Sequence, residues 1–534
     1  MKTTRFALHC AALLLALCQT AATLSAQDTI WVRYDDRFKP NYIISLKDVD
    51  SIEVRPTQMR LYSDKLPSAK YTPLATNTRV PTDEASMMFS DPGRYLLKPN
   101  TYSGTDYTNA AATSGYNFAH SVESAHFAVF WDIRYGDTPT KIQYPGDGNV
   151  ANANTVLSIC ERCWNMYANE LGFLEEGNST TDKYKIQLYI PYQSAWRADA
   201  SGTDGVGGGQ TGIGHFNPWA ATARGGHTVA HEVGHTFQFL VSADLGTNAW
   251  HTDRGWRWGW GGGNDNGWWE SCADWQAYQI FPDRQFTDGE YFEQHLAAHY
   301  KNLLHDDWRY ACCFIQDWWC MKYGRDFIGR MWRESRPYED PVDVYKRMNN
   351  LTQEQFCDET MEGYMRMATW DIDRVRDRAA HRIGQHKNYL TTVSSANAIY
   401  KTSPATCIQN YGYHITNLTP PKAGATVKAN FTGITDDASY HYVYKDRAGW
   451  RYAFVALMSD GTRVYGDMHS LQEGTAELTI PTDHGRCSNL FFVVMGAPTQ
   501  HWAHPWTSGK ASSDWDVNEE QWPYQVQFEG TKVK

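Results

Sequence analysis

The apolar positions change period along this chain, and the changes divide it. Phe127–Trp131 is an unbroken apolar run of strand length. Val156, Cys160, Cys163, Tyr167 and Leu171 recur at steps of three and four, which predicts an amphipathic helix over 155–172. Tyr184, Ile186, Leu188 and Ile190 alternate as a strand does. A glycine-rich segment over 205–214 follows, and then a helix holding residues 227–240. Beyond it the spacing predicts helices over 291–302, 306–322, 326–333, 340–348 and 352–370. From about residue 400 the period is two. Strands are predicted over 427–434, 441–444, 452–457, 476–480 and 491–495, with turns at Asp460-Gly461 and Glu473-Gly474. Short strands so spaced predict a β-sandwich over 395–534. Residues 27–60 read as a small N-terminal β segment, and 61–120 as a polar linker or pro-like stretch. The fold class is therefore α+β, with the main folded region over 121–390.

The densest chemistry lies in His231-Glu232-Val233-Gly234-His235. Residues four apart share a helical face, so His231 and His235 reach one metal ion together. Glu232 sits about 100° round the same helix, where a general base beside that ion belongs. Glu270 and Asp274 repeat the four-residue step further on. Glu270 supplies the third ligand, and Asp274 accepts the N–H of a ligand histidine. Two imidazoles and a carboxylate with one open position make a catalytic zinc site. The alternative is an ordinary core helix with two satisfied histidines and an exposed acidic pair. His227, one turn before His231, reads as a neighbour, because a fourth protein ligand would close the site.

The metzincin pattern is absent, since Gln238 and Val241 stand where its glycine and third histidine belong. What remains resembles the gluzincin superfamily, through residues 228–240 and 268–278. The segment Trp268-Trp269-Glu270-Ser271-Cys272-Ala273-Asp274-Trp275 is also similar to the corresponding segment of bacterial collagenases. As a whole, the chain is similar to secreted gluzincin-like proteins of Bacteroidota. The resemblance implies an α/β upper lobe, a helical lower lobe and a cleft between them, with zinc at its floor. It implies peptide-bond hydrolysis with Glu232 as base. His251, Arg254 and Tyr278 are the candidate donors to the developing oxyanion. It also places a substrate-pairing edge strand over 207–216. One departure is the long insert between His235 and Glu270. Its glycines and Trp250, Trp256, Trp258 and Trp260 suit either a lid or a rigid packed loop.

The ends and the composition narrow the setting. Lys2 and Arg5, the apolar run from Phe6 and the Leu24-Ser25-Ala26 site predict a secretory signal over 1–26. Leu17 before Cys18 is the wrong residue type for lipid attachment, and no later run is long enough to span a bilayer. The expectation is export to the extracellular space, periplasm or cell surface. The formal charge of −11 becomes more negative when the signal leaves. That argues against nucleic acid and anionic membranes, and leaves protein or glycoprotein substrates. The 22 Trp and 32 Tyr serve a core mostly, although aromatic faces also stack on sugars. A non-catalytic glycan- or protein-binding adhesin on the same scaffold is thus the rival reading, with the C-terminal domain as an attachment module. Cys160 and Cys163 read as buried small hydrophobes or a local disulfide, and Cys407 with Cys487 as a C-terminal disulfide.

Overall fold

The computed structural model describes residues 29–32, 42–45, 51–55, 58–62, 101–102, 105–175, 178–179, 184–206, 209–245, 267–287, 289–336, 339–502 and 519–534. The expected signal, most of 61–100 and nearly all of the tryptophan-rich insert lie outside them, as do His251 and Arg254. The chain divides into two compact units, 1–87 and 88–534. In the first, Thr29–Val32 pairs with Tyr42–Ser45, and Ser51–Arg55 with Gln58–Tyr62, both antiparallel.

The second unit is α+β. Its first sheet comprises β1 (Ser121–Glu123), β2 (Phe127–Trp131), β3 (Ile186–Ile190), β4 (Ala198–Val206) and β5 (Gly209–Phe216), in the order β4-β5-β3-β2-β1. The inner strands β2, β3 and β5 run parallel, and β1 and β4 close the sheet antiparallel. Every residue of β2 and β3 is buried, because helices cover the sheet. The expected edge strand is thereby corrected. Residues 209–216 lie inside the sheet, and among the described residues β4 and β1 are its edges. The physical reason is the tight hairpin between β4 and β5, which turns the chain back before it leaves the sheet.

Helix α1 (Ala153–Trp164) starts on Asn152, whose side chain accepts from the Asn154 and Thr155 amides. Helix α2 (His227–Asp244) lies directly on β5: a Cβ at Gly212 would stand 2.6 Å from Cβ of Thr236. Helix α3 (Trp268–Ile280) crosses α2 as closely, since a Cβ at Gly234 would stand 3.3 Å from Cα of Ala273. The glycine between the two histidines is what lets the helices touch.

The helical region follows as α4 (Gly289–Ala298), α5 (Phe314–Tyr323), α6 (Phe327–Glu334), α7 (Pro341–Met348) and α8 (Gln353–Met367). The single helix predicted over 306–322 is instead a short turn at Asp306–Trp308 and then α5. A buried polar network ties α3 to α5. Trp275 Nε1–H donates to Asp317 Oδ1 at 2.9 Å, and Gln316 Nε2–H to Ser271 Oγ at 2.9 Å. Arg374 holds both oxygens of Asp317.

The C-terminal strands are β6 (Leu390–Ser394), β7 (Ile399–Thr402), β8 (Tyr413–Leu418), β9 (Thr426–Gly433), β10 (Trp450–Met458), β11 (Arg463–Tyr465), β12 (Glu473–Thr479), β13 (Cys487–Gly496) and β14 (Tyr524–Glu529). They form two sheets, β6-β7-β14-β9-β12 and β8-β13-β10-β11. Both sheets contribute to one apolar cluster around Phe431, Tyr452, Phe492 and Phe528. Residues 441–444 are not a strand, and Glu473-Gly474 opens β12 rather than making a turn. These sheets join the helices closely. Tyr413 stacks on Tyr364 of α8 at 3.9 Å and donates to His295 Nε2 of α4 at 3.2 Å, while Arg451 pairs with Asp358 at 2.6 Å.

The expected disulfide is absent: Cys407 and Cys487 are both free and buried. Cys487 begins β13, whereas Cys407 lies near its far end, where Tyr411 N–H donates to Gly496 O. At about 3.4 Å per residue, that strand holds them tens of ångströms apart, well past bonding range. Cys160 and Cys163 are likewise free and buried, and burial pushes the Cys163 thiol up to about 12. Among the described residues no helix is long and apolar enough to cross a membrane.

Candidate metal centre

Helix α2 is buried along nearly its whole length, so its polar side chains must find partners inside the protein. His231 and His235 both turn toward α3, which brings Glu270 up from its first turn. His231 Nε2 lies 3.0 Å from Glu270 Oε2, His235 Nε2 lies 3.2 Å from the same oxygen, and the two Nε2 atoms are 3.1 Å apart.

The outer ring nitrogens decide the protonation. His231 Nδ1 is 2.7 Å from Asp274 Oδ1, and His235 Nδ1 is 2.9 Å from Gln238 Oε1. Both partners accept, so each imidazole presents an N–H outward, and in its neutral form the Nε2 lone pair faces inward. Three electron-rich atoms thus face one point, an arrangement that calls for a cation. The edges of a tetrahedral site with bonds of about 2.0–2.1 Å are roughly 3.3 Å long, close to the triangle observed. His231, His235 and Glu270 form a candidate metal-binding group by this geometry. The two carboxylates favour positive charge at this point, and a proton on His231 answers them as a cation would. Burial opposes charge on His231, but Asp274 and Glu270 outweigh it and raise its pKa well above the ordinary value. Burial would likewise raise Glu270, yet the two imidazoles hold its carboxyl well below the usual range.

Glu232 points elsewhere on α2 and is 6 % exposed, at the border of the site. Burial pushes its carboxyl up to about 7 against the pull of His231 and His235. Asp199 of the edge strand β4 lies within its field. His227 is buried, with its ring against Tyr278 at 4.6 Å, and stays outside the donor triangle. Tyr278, expected as a donor to the reacting group, is 2 % exposed, with its ring against His227.

Three neighbours were not legible as parts of the site. Trp269 stacks flat on His235 at 4.8 Å and 13°. Gln238 supports the same ring from its edge. Tyr310 lies 6.0 Å from the His231 ring and stacks on Tyr291, which in turn carries the Arg224 guanidinium on its face. Burial first, then the Glu270 charge, keep the Tyr310 hydroxyl protonated. The three-residue step from His235 is a helical-face signal for Gln238, and Trp269 adjoins Glu270 in sequence. Nothing local marks Tyr310.

A second cluster, Asp340, Asp343 and His501, also gathers ligand-type atoms. Its groups are committed to one another. Asp340 caps α7 by accepting from the Val342 and Asp343 amides, and it also accepts from His501 Nε2 at 2.7 Å. Tyr411 O–H donates to His501 Nδ1 at 2.9 Å.

Fold and site together define an α+β protein with a two-histidine, one-carboxylate cluster where two helices cross. The chain belongs to the family described as "Family of unknown function (DUF6055)", which matches residues 90–534. None of the curated proteins matches the chain.

Proposed function

We propose that this chain is an exported zinc metallopeptidase of gluzincin type, hydrolysing peptide bonds in extracellular proteins or glycoproteins. The observation that carries the reading is the convergence of His231 Nε2, His235 Nε2 and Glu270 Oε2 within 3.2 Å of one another. When bound there, zinc supplies a Lewis acid and a nucleophilic water at neutral pH. Two nitrogens and one oxygen, with no fourth protein ligand among the described residues, suit a catalytic rather than a structural ion.

The chain's own residues divide the remaining work. Glu232 takes a proton from the attacking water and returns it to the leaving amine. Tyr310 offers its hydroxyl to the charge that develops on the scissile carbonyl oxygen. The edge of the sheet at β4, with Asp199 near Glu232, is the place for an extended peptide to add as a further strand.

The test combines metal analysis with a peptide-library digest. Purified protein is expected to hold one zinc, and chelator is expected to abolish cleavage. Glu232→Gln keeps the ion and loses roughly 10²–10⁴-fold or more in turnover, because the amide cannot accept the proton. Comparable turnover by wild type and Glu232→Gln would sink the mechanism. Tyr310→Phe is expected to lower kcat more than it raises KM.

One observation favours the adhesin reading. Trp196 and Trp219 stand 47 % and 46 % exposed, edge to face at 5.1 Å, beside the start of β4. Buried Asn217 pins both: it accepts from the Ala220 and Arg197 amides and donates to Ser194 O. Two rigid, open indoles suit the flat face of a sugar ring. Chelator-insensitive glycan binding that is lost in Trp196→Ala, with no cleavage of any library, would replace the peptidase reading.

A further inference from the structure

We infer that Gln238 is the positioning residue that makes His235 a metal ligand, coupling the ring to the backbone of the helix that carries Glu270. The inference rests on the metal-centre reading above and adds a part to it. Gln238 is fully buried and lies three residues after His235 on α2. Its Nε2–H donates to the Trp269 carbonyl at 3.1 Å, and its Oε1 accepts from His235 Nδ1 at 2.9 Å.

These roles follow in a fixed order. A backbone carbonyl can only accept, so the nitrogen end of the amide must face Trp269. The oxygen end then faces His235, whose Nδ1 must carry the proton. The lone pair is left on Nε2, the atom that joins the donor triangle. Trp269 contributes twice, since its indole also lies flat on the same ring at 4.8 Å. It directly precedes Glu270, so one amide and one tryptophan hold His235 and the carboxylate in register across two helices. His231 is held differently, by the Asp274 carboxylate at 2.7 Å. One ligand therefore leans on a charge and the other on a neutral dipole whose direction the main chain sets. A buried leucine at 238 would keep the volume but leave Nδ1–H and the Trp269 carbonyl without this partner.

The experiment compares full-length wild type, Gln238→Leu and Gln238→Glu. It measures zinc affinity by competition with a chromogenic chelator and the visible absorption of the cobalt-loaded protein. It also measures the thermal midpoint of the metal-free protein. Gln238→Leu is expected to bind zinc roughly 10–100-fold more weakly and to alter the cobalt bands, with a metal-free midpoint near wild type. Gln238→Glu, protonated in this fully buried site so that its O–H faces the Trp269 carbonyl, keeps an oxygen opposite Nδ1 and is expected to regain most of the affinity and the wild-type bands. Wild-type zinc affinity and cobalt bands in Gln238→Leu would overturn this inference alone. So would equal losses in both variants that track a falling metal-free midpoint. A wild type that binds neither metal would overturn the metal-centre reading, and this inference with it.

Discussion

At the scale of single residues, the acceptors behind the ligand histidines set how firmly the centre holds an ion. Asp274 is 1 % exposed and places Oδ1 at 2.7 Å from His231 Nδ1. Asp274→Ala should weaken zinc retention roughly 10–100-fold in chelator competition while leaving circular dichroism unchanged. Unaltered affinity would mean that His231 is oriented by packing alone. His231, His235, Glu270 and Asp274 were legible because all four sit at a four-residue step, and a helix fixes what such a step brings together. Gln238 shared that face, yet it was read only for the glycine it replaces. Tyr310 was not legible. Its place beside His231 depends on how the segment after α4 folds back, and no local period encodes that.

At the scale of elements, α3 must stand still for Glu270 and Asp274 to be useful, and the buried Asp317 network anchors it. Asp317 is 3 % exposed; it accepts from Trp275 and Gln285, and it pairs with Arg374. Asp317→Ala leaves the buried guanidinium without its carboxylate, which typically costs about 3–5 kcal/mol. Urea unfolding of the metal-free protein should show that loss, and a loss below about 1 kcal/mol would mean that Arg374 finds another partner. Strong helical periods were readable in α1 and α6–α8, where one face packs and the other meets water, whereas α2, buried all round, was readable from its histidine step. Strands were harder to place. The glycines of 209–216 were taken for an exposed edge, whereas Gly212 is there because α2 presses on the strand. Residues 441–444 have strand composition but no partner strand among the described residues, and pairing rather than composition makes a strand. β7, β8 and β14 passed unnoticed because they have partners far away in sequence, as with Tyr400 opposite Val526, and β6 because it is a largely exposed edge strand paired only to β7.

At the scale of the whole second unit, a joint of buried histidines connects the helices to the C-terminal sheets. His295 and His299 come from α4 and its end, His386 from the approach to the sheets, and His414 from β8. Their rings lie 5.2–6.2 Å apart in successive pairs among Trp370, Tyr389 and Tyr413. The groups facing them are neutral. His295 Nδ1–H donates to Ala311 O, and its Nε2 accepts from Tyr413. His414 meets Tyr524 and Thr406 O, and among the described residues none of the four pairs with a carboxylate. Burial holds His295 and His414 down to about 4, and it holds His299 and His386, which also repel neighbouring histidines, well below the ordinary 6.5. The sign follows directly. Above the ordinary pKa neither state binds these protons, so the four contribute no pH dependence. Below it the unfolded chain takes them up and the folded chain does not, so stability falls as pH falls. Each histidine contributes up to about 1.4 kcal/mol per pH unit between 6.5 and its folded value. His501 acts in the opposite direction, since burial resists its charge but Asp340 outweighs that and raises its pKa; exposed His484, bonded to Asp460, is also raised, while buried His227 is lowered like the four. The metal-loaded protein should therefore lose stability steeply between pH 6.5 and 5, with His414→Gln removing part of the slope. Denaturation midpoints that stay level across that interval would mean that these histidines already meet their charge when folded.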